Sequence, residues 1–346
     1  MSTIKDIANR AGVSTATVSY VINGTRFVSP ELRERVMSAV IELDYRPNAV
    51  AQSLRQKRTR TIGLIVPDNS NPFFAEVAKG VEDAGYDAGV SVMLCNSDGM
   101  FDREFRYLKL LRDKQVEGIV FIATTPRVDH LAGIVERSIP AVVFYRAVPQ
   151  FDVDTLVVDN FGGGCLATRH LIELGHNRIA CVAPASVDSP SSLRVSGFRR
   201  AMEDAGLPIN ESLIYHGDNR FAGGRDGAEH LLATGNPFTA LFAGNDVMAL
   251  GAMRTFQQRG LAVPGDISVV GFDGIALGDF VTPSLTTILQ PRYEAGRAAF
   301  RLLLDRIDEE YAGPPRAIEL ETTLAVRESS APPRRDGVEI PERPPL

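Results

Sequence analysis

The chain has 346 residues, 44% of them hydrophobic and 23% charged. That composition belongs to a globular protein with core for two or three domains and no need of covalent staples. No run of about 18 apolar residues occurs, so no membrane span is expected, and the opening MSTIKDIANR lacks the apolar stretch of a secretory leader. The scattered Cys95, Cys165 and Cys181 read as free thiols of a reducing cytoplasm rather than a metal site. The net charge of -6 is uneven: residues 1–60 hold ten Lys or Arg against five Asp or Glu, and the remainder holds 27 against 38. A basic head on an acidic body fits a polyanion partner, although charge alone leaves that level with a solvated face.

Residues 3–24 read TIKDIANRAGVSTATVSYVING. Thr3 and Asp6 have capping-box spacing, and Ile4, Ile7, Ala8 and Ala11 share one helical face. Gly12 ends that helix, and Ser14 is an N-cap for a second, ended by Asn23-Gly24. The second helix places Val18, Val21 and Ile22 inward and Thr15, Ala16, Ser19 and Tyr20 outward. Ser29-Pro30 opens a third helix with a stripe of Val36, Ala39, Val40 and Leu43. Two short helices on a glycine turn, braced by a third, make a helix-turn-helix, whose second helix presents its first turn to base edges in a major groove.

The next stretch, RPNAVAQSLRQKRTR, holds a helix of only about nine residues, marginal alone in water, followed by a basic run. From Thr61 onward short apolar runs alternate with amphipathic helices. TIGLIV, VSVMLC, GIVFIA, AVVF, RIACVA, TALFA and ISVVGF lack polar alternation, as buried parallel strands do. The helices include Phe73 to Ala88 and Gly244 to Arg259. This predicts a doubly wound α/β body, too large for one sheet and so divided into two lobes with a cleft at the strand ends. Polar residues follow the strands there: Tyr145 and Arg146, Arg194, Asn245, Asp273 and Gln290. Planar hydrogen-bonding groups with aromatic faces suit a sugar.

The first 56 residues, by TIKDIANRAGVSTATVSYVING and YRPNAVAQSLR, resemble the headpiece of the LacI/GalR family of bacterial repressors. The body resembles that family's effector domain and the periplasmic ribose-type binding proteins, through NPFF, NDVMALGA and GFDG. The resemblance implies a helix-turn-helix over 1–46, a hinge helix and linker over 47–60 and a two-lobed sugar-binding and dimerisation domain over 61–327, and the Pro-rich polar composition of 328–346 predicts a disordered tail. The resemblance makes Thr15, Ala16 and Tyr20 base readers, with Ser19 and Asn23 on phosphates. Leu54 becomes a minor-groove wedge, with Arg55 beside it on the backbone. Asn71, Phe73, Phe74, Arg146, Arg194, Asn245, Asp273 and Gln290 line the cleft. Two positions depart from the ribose pattern: Tyr145 stands where an acid is usual, and Asn219 where an aromatic is usual.

Other motifs carry no chemistry. Gly162-Gly163-Gly164 lacks nucleotide-loop spacing and reads as a lobe-crossing turn. His170 and His176 are too far apart for a one-face metal pair, and His176 suits a helix end. Neither a metal nor a cofactor is expected, and no nucleophile constellation supports an enzyme. The expected protein is a cytoplasmic, nucleoid-associated homodimer on a pseudo-palindromic double-stranded operator. A sugar-like effector controls it; the alternative is a corepressor of nucleobase or nucleoside type. A periplasmic receptor is disfavoured, because it would need the secretory signal that this opening does not show and has no use for the head.

Overall fold

The computed structural model describes residues 2–24, 26–45, 58–135 and 139–334. The chain divides into two compact units, Met1–Thr59 and Arg60–Leu346.

The first unit contains α1 (Ile4–Ala11), α2 (Thr15–Asn23) and α3 (Pro30–Glu42). The Thr3 hydroxyl accepts from Asp6 N at 3.3 Å, and the Asp6 carboxylate accepts from Thr3 N at 2.8 Å, closing the capping box. Gly12, at φ +61°, supplies the left-handed turn into α2. Ile7, Ala8, Ala11, Val18, Val21, Val36 and Ala39 fill the core. Ser19 is a correction: it is 7% exposed rather than outward. Ser19 stands beside the buried Val18 and one turn before the partly buried Ile22, and so turns inward with them. The short helix expected around Asn48 to Gln56 lies outside the described residues.

The second unit holds β1 (Thr61–Val66), α4 (Pro72–Asp87), β2 (Ser91–Asn96), α5 (Phe101–Asp113), β3 (Ile119–Ile122), α6 (Ala132–Val135), β4 (Ala141–Phe144) and β5 (Asp154–Val158). Then come α7 (Asn160–Glu173), β6 (Ile179–Ala183), α8 (Leu193–Asp204), β7 (Ile214–His216), α9 (Phe221–Ala233), β8 (Ala240–Ala243), α10 (Asp246–Gln258) and β9 (Ser268–Asp273). The chain continues through α11 (Leu277–Phe280), β10 (Thr286–Leu289), α12 (Arg292–Ile307), β11 (Ala317–Leu320) and β12 (Thr323–Ala325). Two sheets result, ordered β11-β5-β4-β3-β1-β2 and β12-β10-β9-β8-β6-β7. All pairings are parallel except β10 with β12. The chain passes between the lobes three times, at residue 159, residues 290–291 and residues 321–322.

Helix pairs α4/α12, α7/α8 and α9/α10 pack closely. A Cβ at Gly164 would strike the Arg194 carbonyl, and one at Gly80 would strike the Tyr293 carbonyl. The triple glycine is therefore the first turn of α7, not a connecting turn, and the lobe crossing lies just before it.

β5 and β11 escaped the apolar pattern because Asp154 opens the one and Glu319 interrupts the other. Asp154, wholly buried, pairs with Arg306 and Arg316 at 2.7 Å each. Residues 328–334, expected within a disordered tail, are instead ordered against the second lobe. Ser329 Oγ donates to Val269 O at 2.6 Å, and Ser330 Oγ meets His170 Nε2 at 2.9 Å. His176, 2% exposed, bridges Thr239 Oγ1 at 2.8 Å and Ala331 O at 2.9 Å. It is a buried clasp for residues 328–334, not a charge at a helix end. No described helix is long and apolar enough to cross a membrane.

Candidate functional site

A cavity of about 370 Å³ opens between the lobes of the second unit, at the C-terminal ends of the strands. The first lobe supplies Asn71, Phe73, Phe74 and Tyr145; the second supplies Arg194, Asn219, Asn245 and Asp273. Asn71 and Asn245 are N-caps. Asn71 Oδ1 accepts from Phe73 N at 3.0 Å, and Asn245 Oδ1 accepts from Met248 N at 2.8 Å. Asn245 Nδ2 donates to the Asn219 carbonyl at 3.2 Å. Phe73, Phe74 and Tyr145 form an edge-to-face triangle, with ring centroids 5.0, 6.0 and 6.1 Å apart.

Arg194 ties this site together at 2% exposure. Its Nε donates to Asn160 Oδ1 at 2.7 Å, Nη1 to Gly244 O at 2.6 Å and to Asp273 Oδ1 at 3.0 Å, and Nη2 to Tyr145 Oη at 3.0 Å. Its guanidinium carbon lies 3.7 Å from the Phe272 ring centre. Burial pushes the Asp273 carboxyl up to about 6, against the pull of Arg194. Behind it, burial and the neighbouring Asp273 push Asp246 up to about 8. Tyr145, Asn219 and Asp273 have φ of +82°, +63° and +118°, and such strain persists where surrounding packing holds it in place.

Arg146 and Gln290 are not on the cavity wall. Arg146 Nη2 reaches across the lobes to Asp188 O at 2.6 Å. Gln290, at a lobe crossing, donates to Asp273 Oδ1 at 2.6 Å and so supports the wall from behind. The wall also includes Asp68, Asp98, Ser189, Ser191, Asp218 and Arg220, which sequence reading passed over. Asp68 and Asp98 follow β1 and β2 and were open to the same strand-end rule. Asp218 and Arg220 follow β7, a strand of three residues with no apolar run to announce it. Arg220 Nη2 meets Asp68 Oδ2 across the cleft at 3.4 Å.

In the first unit, Thr15 and Ala16 are exposed at the start of α2 and Tyr20 is half-buried. The Arg26 guanidinium sits 5.2 Å from the Tyr20 ring centre, a cation beside this face that the sequence pattern did not single out. Asn23 is the last residue of α2; its side chain, Leu54 and Arg55 lie outside the described residues.

Residues 3–48 match the family model for bacterial regulatory proteins of the lacI family. Residues 59–323 match the model for periplasmic binding proteins and the sugar binding domain of the LacI family. The chain belongs to the LacI family. It is 41% identical over 330 residues to the HTH-type transcriptional repressor PurR of Vibrio campbellii, covering 94% of this chain and 98% of that one. The lac repressor dimer bound to operator and the anti-inducer ONPF superposes with a TM-score of 0.84 at 28% identity, over 95% of this chain and 99% of that one. A transcriptional regulator CelR–cellobiose complex does so at 0.73 and 34% identity, over 95% and 100%. As a LacI-family member with this headpiece, the protein is a DNA-binding transcriptional regulator.

Proposed function

We propose that the protein is a homodimeric repressor whose operator affinity rises when a nucleobase or nucleoside, of purine type, fills the interlobe cavity. The observation that carries this is the aromatic triangle of Phe73, Phe74 and Tyr145 on the same cavity as the Asp273–Arg194 pair. A flat heterocycle covers aromatic rings, and its ring N–H donates to a carboxylate. Asp273 Oδ1 already takes Arg194 and Gln290, which leaves Oδ2 for the ligand. The sugar expectation gives way here. Tyr145 removes an acid that would grip hydroxyls and adds a ring face instead. The 41% identity to a repressor named PurR over nearly the whole chain points the same way.

The cavity acts by binding. Its strongest polar groups are committed to internal partners, Arg194 to four acceptors, which suits recognition rather than turnover. An effector acts only through its different affinity for the two lobe arrangements, and the three lobe crossings are the strands that would flex. Dimerisation through the body is supported by an apolar face at α9, α10 and α11, where Phe280 is 85%, Phe221 49% and Leu277 44% exposed. On the operator, in the bacterial cytoplasm, Thr15, Ala16 and Tyr20 read bases, Asn23 and Arg55 meet phosphates, and Leu54 wedges into the minor groove.

The experiment is an operator-binding titration in the presence of adenine, guanine, hypoxanthine, their nucleosides, ribose and cellobiose. A base or nucleoside should tighten operator binding tenfold or more, about 1.4 kcal/mol of coupling. A response to a sugar alone overturns the proposed effector class.

A further inference from the structure

Behind the first-lobe wall lies a carboxyl–imidazole pair that the site as described does not use. Glu104, on α5, is completely buried. Its Oε2 lies 3.1 Å from His130 Nε2, and both side chains are shut off from solvent. The contact is one of proximity, because the ring nitrogen is not aimed at the oxygen for a hydrogen bond, and His130 Nδ1 also has no partner among the described residues. The ring is held instead by apolar packing, with the Phe101 and Phe121 ring centres 4.7 and 5.3 Å away. A buried carboxyl beside an unsatisfied imidazole costs stability unless something is gained elsewhere.

The gain is read from what Glu104 touches. Oε1 accepts from Ser97 Oγ at 3.5 Å, and Oε2 accepts from Thr125 Oγ1 at 3.4 Å. Both bonds are long, and both hydroxyls are shared: Ser97 also reaches Val66 O at 3.2 Å, and Thr125 reaches Arg127 O at 3.1 Å. Ser97 Oγ in turn accepts from Gly99 N at 3.3 Å. Asp98, Gly99, Thr124, Thr125 and Pro126 all line the cavity. One buried carboxyl thus spans the two strand-end loops that make the outer part of the first-lobe wall, after β2 and after β3.

We infer that Glu104 and His130 are a positioning pair for effector binding. Glu104 fixes the spacing of the 97–99 and 124–126 loops, and the His130 ring, packed 3.1 Å from its carboxyl, holds Glu104 in reach of both hydroxyls. Neither residue reaches the ligand. The inference rests on the cavity being the effector site, and the experiment separates the two. In the full-length protein, Glu104→Gln keeps the shape, lowers the charge and replaces one acceptor oxygen with a donor. His130→Gln removes the imidazole.

Calorimetric titration with guanine, hypoxanthine, adenosine and guanosine should show each variant weakened tenfold or more. Glu104→Asp, which restores the carboxylate, should recover part of that loss. Hydrogen exchange on the effector-free protein should rise in both loops, 97–99 and 124–126, in both variants. If Glu104→Gln lowers the melting temperature while loop exchange stays at the wild-type level, the pair is only structural and the inference fails. If the wild type binds none of the four probes, the proposed ligand class fails, and loop exchange still decides the role of the pair.

Discussion

Arg194 Nη2 donates to Tyr145 Oη at 3.0 Å, and this bond joins a second-lobe helix to the end of a first-lobe strand beneath the cavity. The hydroxyl therefore does more than decorate an aromatic wall: it satisfies a guanidinium that is almost wholly withdrawn from water. Tyr145→Phe keeps the ring and orphans that donor. Removing a hydrogen bond to a buried charged group costs about 1.5–3 kcal/mol. For a domain of this size each kcal/mol lowers the melting temperature by roughly 2–4 °C. Calorimetry should find a drop of several degrees; an unchanged transition would mean that Arg194 re-pairs within the cleft.

Effector affinity should follow a plateau in pH. Asp273, at about 6, is a carboxylate above that value and accepts a ligand N–H. Below it the group is protonated, and affinity should fall by up to about tenfold per pH unit. Asp246, at about 8, stays neutral through the plateau and receives Thr287 Oγ1 at 2.5 Å and Ile275 N at 2.8 Å. Above 8 a second buried negative charge forms behind Asp273, and binding should weaken again. Titration calorimetry from pH 5 to 9 checks both limbs. Asp246→Asn should remove the alkaline limb and keep the acid one.

The C-terminal clasp should open in mild acid. Burial holds His176 and His170 below the ordinary histidine value. The unfolded chain then binds more protons than the folded one below about 6.5, so their contribution to stability is complete above that pH and declines as pH falls through the lower folded values. Hydrogen exchange at residues 329–331 should increase between pH 7.5 and 5.5. No increase would show that Ser268 and Thr286, which also hold this segment, suffice alone.

These clasps also mark where the sequence ran out. The head was legible because caps and turns are local: Thr3, Asp6, Gly12 and Ser14 act within a few residues of where they stand. The main strands were legible because buried parallel strands are plain apolar runs. β5 and β11 were not, since Asp154 is buried through Arg306 and Arg316, about 150 residues or more away in sequence. ESSAPP likewise reads as a polar tail until Val269, His170 and His176 supply its partners. At the cavity, Asn71, Phe73, Phe74, Arg194, Asn245 and Asp273 follow strands or open helices and could be found. Arg146 and Gln290 also stand at strand ends, yet their side chains turn to other partners, which only the folded lobes decide.

The cavity's charge should exclude phosphorylated ligands. Asp68, Asp98, Asp218 and Asp273 line it against only Arg194 and Arg220. Neither arginine is free: Arg194 is committed to Asn160, Gly244, Asp273 and Tyr145, and Arg220 pairs with Asp68. A phosphate about 5 Å from one uncompensated carboxylate meets roughly 3 kcal/mol of repulsion at an effective dielectric near 20, less where water reaches the cleft mouth. A nucleoside should therefore bind at least tenfold more tightly than its 5′-monophosphate in competition calorimetry. Equal affinity would mean that Arg220 leaves Asp68 to take the phosphate. Arg220→Gln separates the cases: it should leave nucleoside binding within a few fold, and it should abolish monophosphate binding only if Arg220 is the phosphate's partner.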